Sequence, residues 1–96
     1  LNALRGVGVQ DITPDIAKRL GLHPSVKGVI VNDIDEDSPA YGILAQGDVI
    51  QEIDRKKFVS VKDYQRIVSM IGRDNTILLL VYRRGSSLFI TLPAQK

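Results

Sequence analysis

The sequence predicts an α+β domain in which five or six strands form a barrel or sandwich capped by two helices. Three observations carry that expectation. Short β-branched runs recur between turn signals rich in Gly, Asp and Ser; two stretches carry complete helix start and stop signals; and two apolar runs near the carboxyl end, NTILLLVYR and SLFITL, flank Arg84-Gly85-Ser86 as the arms of a hairpin. Neither an internal repeat nor a low-complexity segment interrupts the pattern.

Taken in order, LRGVGVQD places two glycines and two valines at the start of a strand that runs from Val7 to about Asp11. Thr13 is an N-cap and Pro14 a first-turn residue, Ile12 can staple onto Ala17, and Gly21 follows Leu20 as a stop, so a short helix spans 14–20. KGVIVNDI, at 27–34, is a buried strand with a polar exit at DEDSP. Ser38 then caps a proline-started turn of helix, SPAYGIL, before GDVIQEI forms a strand over about 48–53 and residues 55–58 make a hairpin-like turn. Ser60 and Asp63 lie at a spacing close to a capping box, and Gly72 ends the pattern, which predicts a helix over 61–71. The terminal hairpin is expected to close the sheet.

Composition narrows the function. A chain of 96 residues, 44% hydrophobic and 25% charged, is long enough for one core and one domain. It leaves little room for a deep catalytic cleft. The net charge of +2 is spread among alternating acids and bases, and the small basic clusters at Arg55-Lys56-Lys57 and Arg83-Arg84 sit beside turns as surface, so no nucleic-acid track is indicated. No apolar stretch approaches the ~18 residues of a membrane span. With no cysteine and one histidine, His23 in a loop, the chain offers neither a thiolate metal site nor a Ser-His-Asp triad. The acids Asp33, Asp35, Glu36 and Asp37 lack the turn glycine and the later bidentate acid of a calcium loop, and read as a solvated strand end. RGVGV lacks the third glycine of a dinucleotide loop and the Lys-Ser/Thr of a P-loop. No initiating Met is present and the chain opens in a strand-like pattern, which reads as a domain excised from something longer.

A binding surface remains. A glycine turn that leads directly into a strand presents main-chain N–H groups to one anion. At 100° per residue the second helix places Tyr64, Ile67 and Ile71 on one face, with Val61 and Val68 roughly 60–80° round and Gln65 beside them; the apolar arc of about 120° is slightly wider than packing on one sheet requires, a hint of a second, open-facing strip.

GVIVNDIDEDSPAYGILAQGDVIQEIDRKKFVSVKDYQRIV resembles the core of a PDZ domain, and the order of elements resembles the bacterial, circularly permuted arrangement. RGVGVQDITPDIAKRLGL, GDVI and LLLVYRRG are similar to a PDZ domain, the second copy, of the HtrA or Deg family of periplasmic serine endoproteases. The resemblance covers nearly the whole chain. It implies that Leu4-Arg5-Gly6-Val7 is the loop that receives a peptide's terminal carboxylate, with Arg5 standing where the family pattern prefers an apolar residue. It further implies a peptide added as a strand along Val7, Gly8 and Val9, a side-chain pocket lined by Val7, Val9, Val61 and Val68, and Gln65 contacting a residue further in. No catalytic residue, metal or cofactor is implied for this chain. The expected partners are C-termini or extended segments of unfolded proteins, the parent's own protease domain and neighbouring subunits in the periplasm, with no nucleic acid and no membrane insertion. An assembly or regulatory module is the alternative the resemblance leaves open.

Overall fold

The structure, a computed structural model, describes residues 2–95. Its elements are β1 (Val7–Asp11), α1 (Pro14–Leu20), β2 (Val29–Ile34), β3 (Val49–Ile53), β4 (Lys56–Lys57), α2 (Val61–Ser69), β5 (Ile77–Arg83) and β6 (Ser86–Leu92). All strands belong to one antiparallel sheet in the order β1-β2-β3-β5-β6, with β4 paired to β3. The α+β class, the strand number and the two helices match the expectation, but the sheet does not close. Among the described residues β1 and β6 do not pair, so each remains an edge. The reason lies in the core. Tyr64 and Ile67 of α2 pack on Val29, Val31, Ile50, Ile53, Leu79 and Val81 of the sheet, so a helix covers the apolar face that barrel closure would otherwise have hidden.

Three local expectations need correction. SPAYGIL is not a turn of helix but a chain of tight turns, in which the Ala40 carbonyl accepts from both Ile43 N–H and Leu44 N–H and Gly42 takes φ 82°. Helix α2 stops at Ser69, two residues early, with Met70 rather than a glycine at its cap. Its last carbonyls turn elsewhere, as described below. The final hairpin turns on Arg84 (φ 51°) and Gly85 (φ 84°), and Ser86 already pairs with Arg83, because the two-residue turn with both φ values positive suits the right-handed twist of the arms. The first helix forms as expected, with Thr13 Oγ1 accepting from Ile16 N–H at 3.2 Å.

Arg83 is not the surface residue its cluster suggested. Its Nε and Nη2 donate to the two carboxylate oxygens of the buried Asp48 at 2.8 and 2.7 Å, and Nη2 also reaches the Ile43 carbonyl at 3.1 Å. The hydrogen bond to Asp48 raises the guanidinium above the usual arginine range, so it stays charged. Asp48, the acid of GDVI, also accepts from Ala45 N–H through Oδ2, while its carbonyl accepts from Val31 N–H. One side chain therefore ties the 43–48 turn to β5 and its own backbone ties it to β2. Tyr64 packs edge-on against Phe58, 5.6 Å between ring centroids, and burial pushes its phenol well above the usual tyrosine range.

Candidate functional site

Strand β1 pairs with β2 along one side only, and its other side faces α2. The two elements run antiparallel. Asn2, five residues before β1, bonds to the carboxyl end of α2, and Asp11, at the far end of β1, bonds to the first residue of α2. Between them lies a channel with an unpaired strand edge on one wall and a helix on the other. Val7 and Val9 from β1 and Val61 and Val68 from α2 are half-buried and pack against the main core, so the channel has an apolar floor. Tyr64 and Ile67 are buried below it, as their helical spacing predicted, and Gln65 is exposed on the helix.

The loop at the head of the channel is braced from two sides. Gly6 takes φ 79°, and a Cβ there would lie 3.1 Å from Ser38 Cβ and 3.2 Å from Asp35 Cβ, so only glycine lets the loop press against the 35–38 turn. Asp35 N–H donates to the Gly6 carbonyl at 2.9 Å, and Arg5 Nη1 donates to the Asp37 carbonyl at 3.1 Å. Arg5 is exposed and reaches over the acidic turn instead of filling a pocket. Leu4 is buried in the core, which limits it to a main-chain contribution. Of the loop amides, Arg5 N–H closes a turn on the Asn2 carbonyl at 3.1 Å and Val7 N–H one on the Leu4 carbonyl at 3.2 Å. Gly6 N–H has no partner among the described residues. Gly8 is half-buried in β1, where pairing with β2 passes from Gly8↔Asp33 to Val9↔Val31 and leaves Asn32 unmatched.

Two residues that sequence reasoning missed hold the channel's ends. Asn2 is buried; its Nδ2 donates to the carbonyls of Val68 at 3.0 Å and Ile71 at 3.1 Å, and its Oδ1 accepts from Leu4 N–H at 2.9 Å. The last carbonyls of a helix lack internal partners. Asn2 adds a donor to the Val68 carbonyl, which also accepts from Ile71 N–H, and binds the Ile71 carbonyl just past the helix, which fixes the loop to the helix end. Asn2→Ala is expected to lower unfolding free energy by about 2–3 kcal/mol, read from urea denaturation, and to shift the amide resonances of Leu4 to Val7. The only signal in the sequence was a polar residue just before an apolar run, which is too common to single out. Asp11 Oδ1 accepts from Val61 N–H at 2.8 Å, and Ser60 Oγ accepts from Asp63 N–H at 3.2 Å, so two first-turn amides of α2 are capped, one from across the channel.

Elsewhere, His23 is exposed, with Nδ1 accepting from Ser25 N–H at 3.0 Å within its own loop. No three acidic or imidazole groups converge to hold a metal among the described residues.

An open strand edge beside a helix, headed by a glycine turn, is the architecture of one class of domain, and the PDZ domain family model matches residues 5–93. The chain belongs to the PDZ domain family. Its similarity is to proteases of one kind: it is 33% identical over 99 aligned positions to a probable periplasmic serine endoprotease DegP-like of Chlamydia pneumoniae, covering 100% of this chain and 20% of that protein. It is 32% identical to the DegP-like protein of Pseudomonas putida strain W619, covering 90% of this chain and 17% of that protein. Among solved structures it is similar to the HtrA-type protease AlgW with decapeptide, at 31% identity and TM-score 0.82, covering 94% of this chain and 28% of the other. The HtrA3 PDZ domain bound to a phage-derived ligand shares the fold at TM-score 0.74 and 24% identity, covering 92% of this chain and 80% of that one. The chain thus spans about a fifth of the curated relatives it matches. With the PDZ match running over residues 5–93 of 96, no protease domain lies within this chain.

Proposed function

We propose that the chain is the non-catalytic PDZ module of an HtrA-type periplasmic serine endoprotease, a single domain that captures the C-termini or extended segments of unfolded proteins by adding them to β1 as a further strand. The observation that carries this reading is the unpaired edge of β1 lying along α2 over an apolar floor. Main-chain hydrogen bonds to that edge supply affinity irrespective of ligand sequence, and the valines supply preference for an apolar last side chain. Gly6 N–H receives the terminal carboxylate first, because it is the loop amide with no partner among the described residues; Arg5 and Val7 N–H join it by sharing their long turn bonds. Arg5 adds charge at the loop, and Gln65 meets a residue further into the ligand. The chain's similarity to proteins named as periplasmic endoproteases supports the periplasm as the compartment.

A second reading, a module that contacts neighbouring subunits or the protease domain, is favoured by one specific feature. Three of the four loop amides, those of Leu4, Arg5 and Val7, are already turned inward. Titration of the domain with a short peptide ending in valine, as free acid and as C-terminal amide, separates the two. The capture reading expects shifts at Arg5 to Val9 and Val61 to Val68 with the acid, and binding at least about tenfold weaker with the amide, since a charge-assisted hydrogen bond is lost. No shift with either form at millimolar concentration would overturn it in favour of assembly.

A further inference from the structure

Resting on the β1–α2 channel as a peptide site, we propose that Asp11 determines specificity: it closes the upstream end of the channel and selects ligands carrying a basic side chain just ahead of a short apolar C-terminus. A ligand anchored at Gly6 and running antiparallel to β1 rises about 3.3 Å per residue. Strand β1 has five residues, so about three or four ligand residues lie in the channel before Asp11 is met. There the channel narrows to a single bridge, Asp11 Oδ1 to Val61 N–H at 2.8 Å, which joins the strand to the helix across the path of a longer ligand.

The bridge is made with a neutral donor, and that matters for the ligand's chemistry. Among the described residues Asp48 is paired with Arg83 and Asp63 with Arg66, whereas Asp11 has no cationic partner and its Oδ2 accepts no hydrogen bond. An exposed carboxylate at a strand end is already favoured there by the partial positive charge of the helix start. A lysine or arginine side chain on the ligand's fourth or fifth residue from the end would reach Oδ2 without breaking the bond to Val61, and a longer segment would draw the carboxylate outward onto the cation and open the bridge. An acidic residue at the same place would face Asp11 with like charge. The selected class is therefore a short apolar C-terminus preceded by a base.

The test uses three free-acid octapeptides with identical last three residues and lysine, alanine or glutamate at both the fourth and fifth positions from the end. Binding is measured on the native domain and on Asp11→Asn, whose amide oxygen still accepts from Val61 N–H but carries no charge. The native domain is expected to bind the lysine peptide about threefold to fivefold tighter than the alanine peptide and the glutamate peptide weaker than both, the scale of one rim ion pair. In Asp11→Asn the ratios between the three peptides are expected to fall to about one, and on the native domain the lysine preference fades at high salt. Equal binding of all three by the native domain, or a lysine preference that survives Asp11→Asn, overturns the assignment and leaves the groove reading intact. Failure of every peptide to shift Val7 to Val9 removes the groove reading, and the assignment with it.

Discussion

Gly28→Ala is expected to destabilise the domain by about 3–5 kcal/mol, which would leave much of a chain this size unfolded at room temperature. Gly28 sits at φ 139°, and a Cβ built there would lie 2.1 Å from the Ile50 carbonyl oxygen and 2.9 Å from its carbon. Both contacts are with backbone, so no rotamer change relieves them. The neighbouring residue Val29 pairs with Ile50, so a side chain at Gly28 would point into the main chain of β3 at the start of the β2–β3 ladder. Alanine would force the two strands apart and strain its own backbone at once. Since β2 is the only strand that β1 pairs with among the described residues, the channel would loosen with them. Guanidinium denaturation at 25 °C measures the loss; a cost below about 1 kcal/mol would mean that the β2–β3 gap widens without consequence.

The second large effect is expected at the pair that joins GDVI to β5. Arg83→Met removes two hydrogen bonds to Asp48 and leaves a carboxylate that is 2% exposed with Ala45 N–H as its remaining partner. Stranding a buried charge costs about 3 kcal/mol, more than the pair itself contributes. Adding Asp48→Asn to that variant removes the stranded charge while keeping an acceptor for Ala45 N–H, and is expected to recover about 1 kcal/mol or more. A double variant no better than Arg83→Met would show that packing of the arginine stem, rather than its charge, holds the 43–48 turn.

Much of the fold was legible because its signals are local. The Thr13-Pro14 start, the Ser60 cap and the apolar strand run NTILLLVYR depend on a few neighbouring residues, and the structure has each of them as expected. The same local logic misled at SPAYGIL, where a proline-started turn looks helical until Gly42 turns the chain. It misled again at Gly72: α2 stops at Ser69, and the Asn2 side chain that binds its end, sixty-six residues away from Val68, leaves no mark beside the helix. Arg83 read as a loop charge for the same reason: its partner is thirty-five residues distant.

The candidate site divides along the same line. Gly6 as the turn before a strand, and Val61 and Val68 beside the core face of α2, were legible from glycine placement and helical spacing; the grouping of Val7, Val9, Val61 and Val68 as one pocket was implied only by the resemblance to PDZ domains. Which edge of the sheet stays open, how wide the channel is and where it ends were decided only in three dimensions. Helix α2 covers the apolar face and so spares the sheet from closing, Asn2 anchors the loop to the helix end, and Asp11 bridges the other end. Each of these is a bond or contact between residues far apart in the chain, where the free energy depends on distance and direction in space. A linear sequence specifies which groups are available for such contacts; the packed fold alone selects which of them meet.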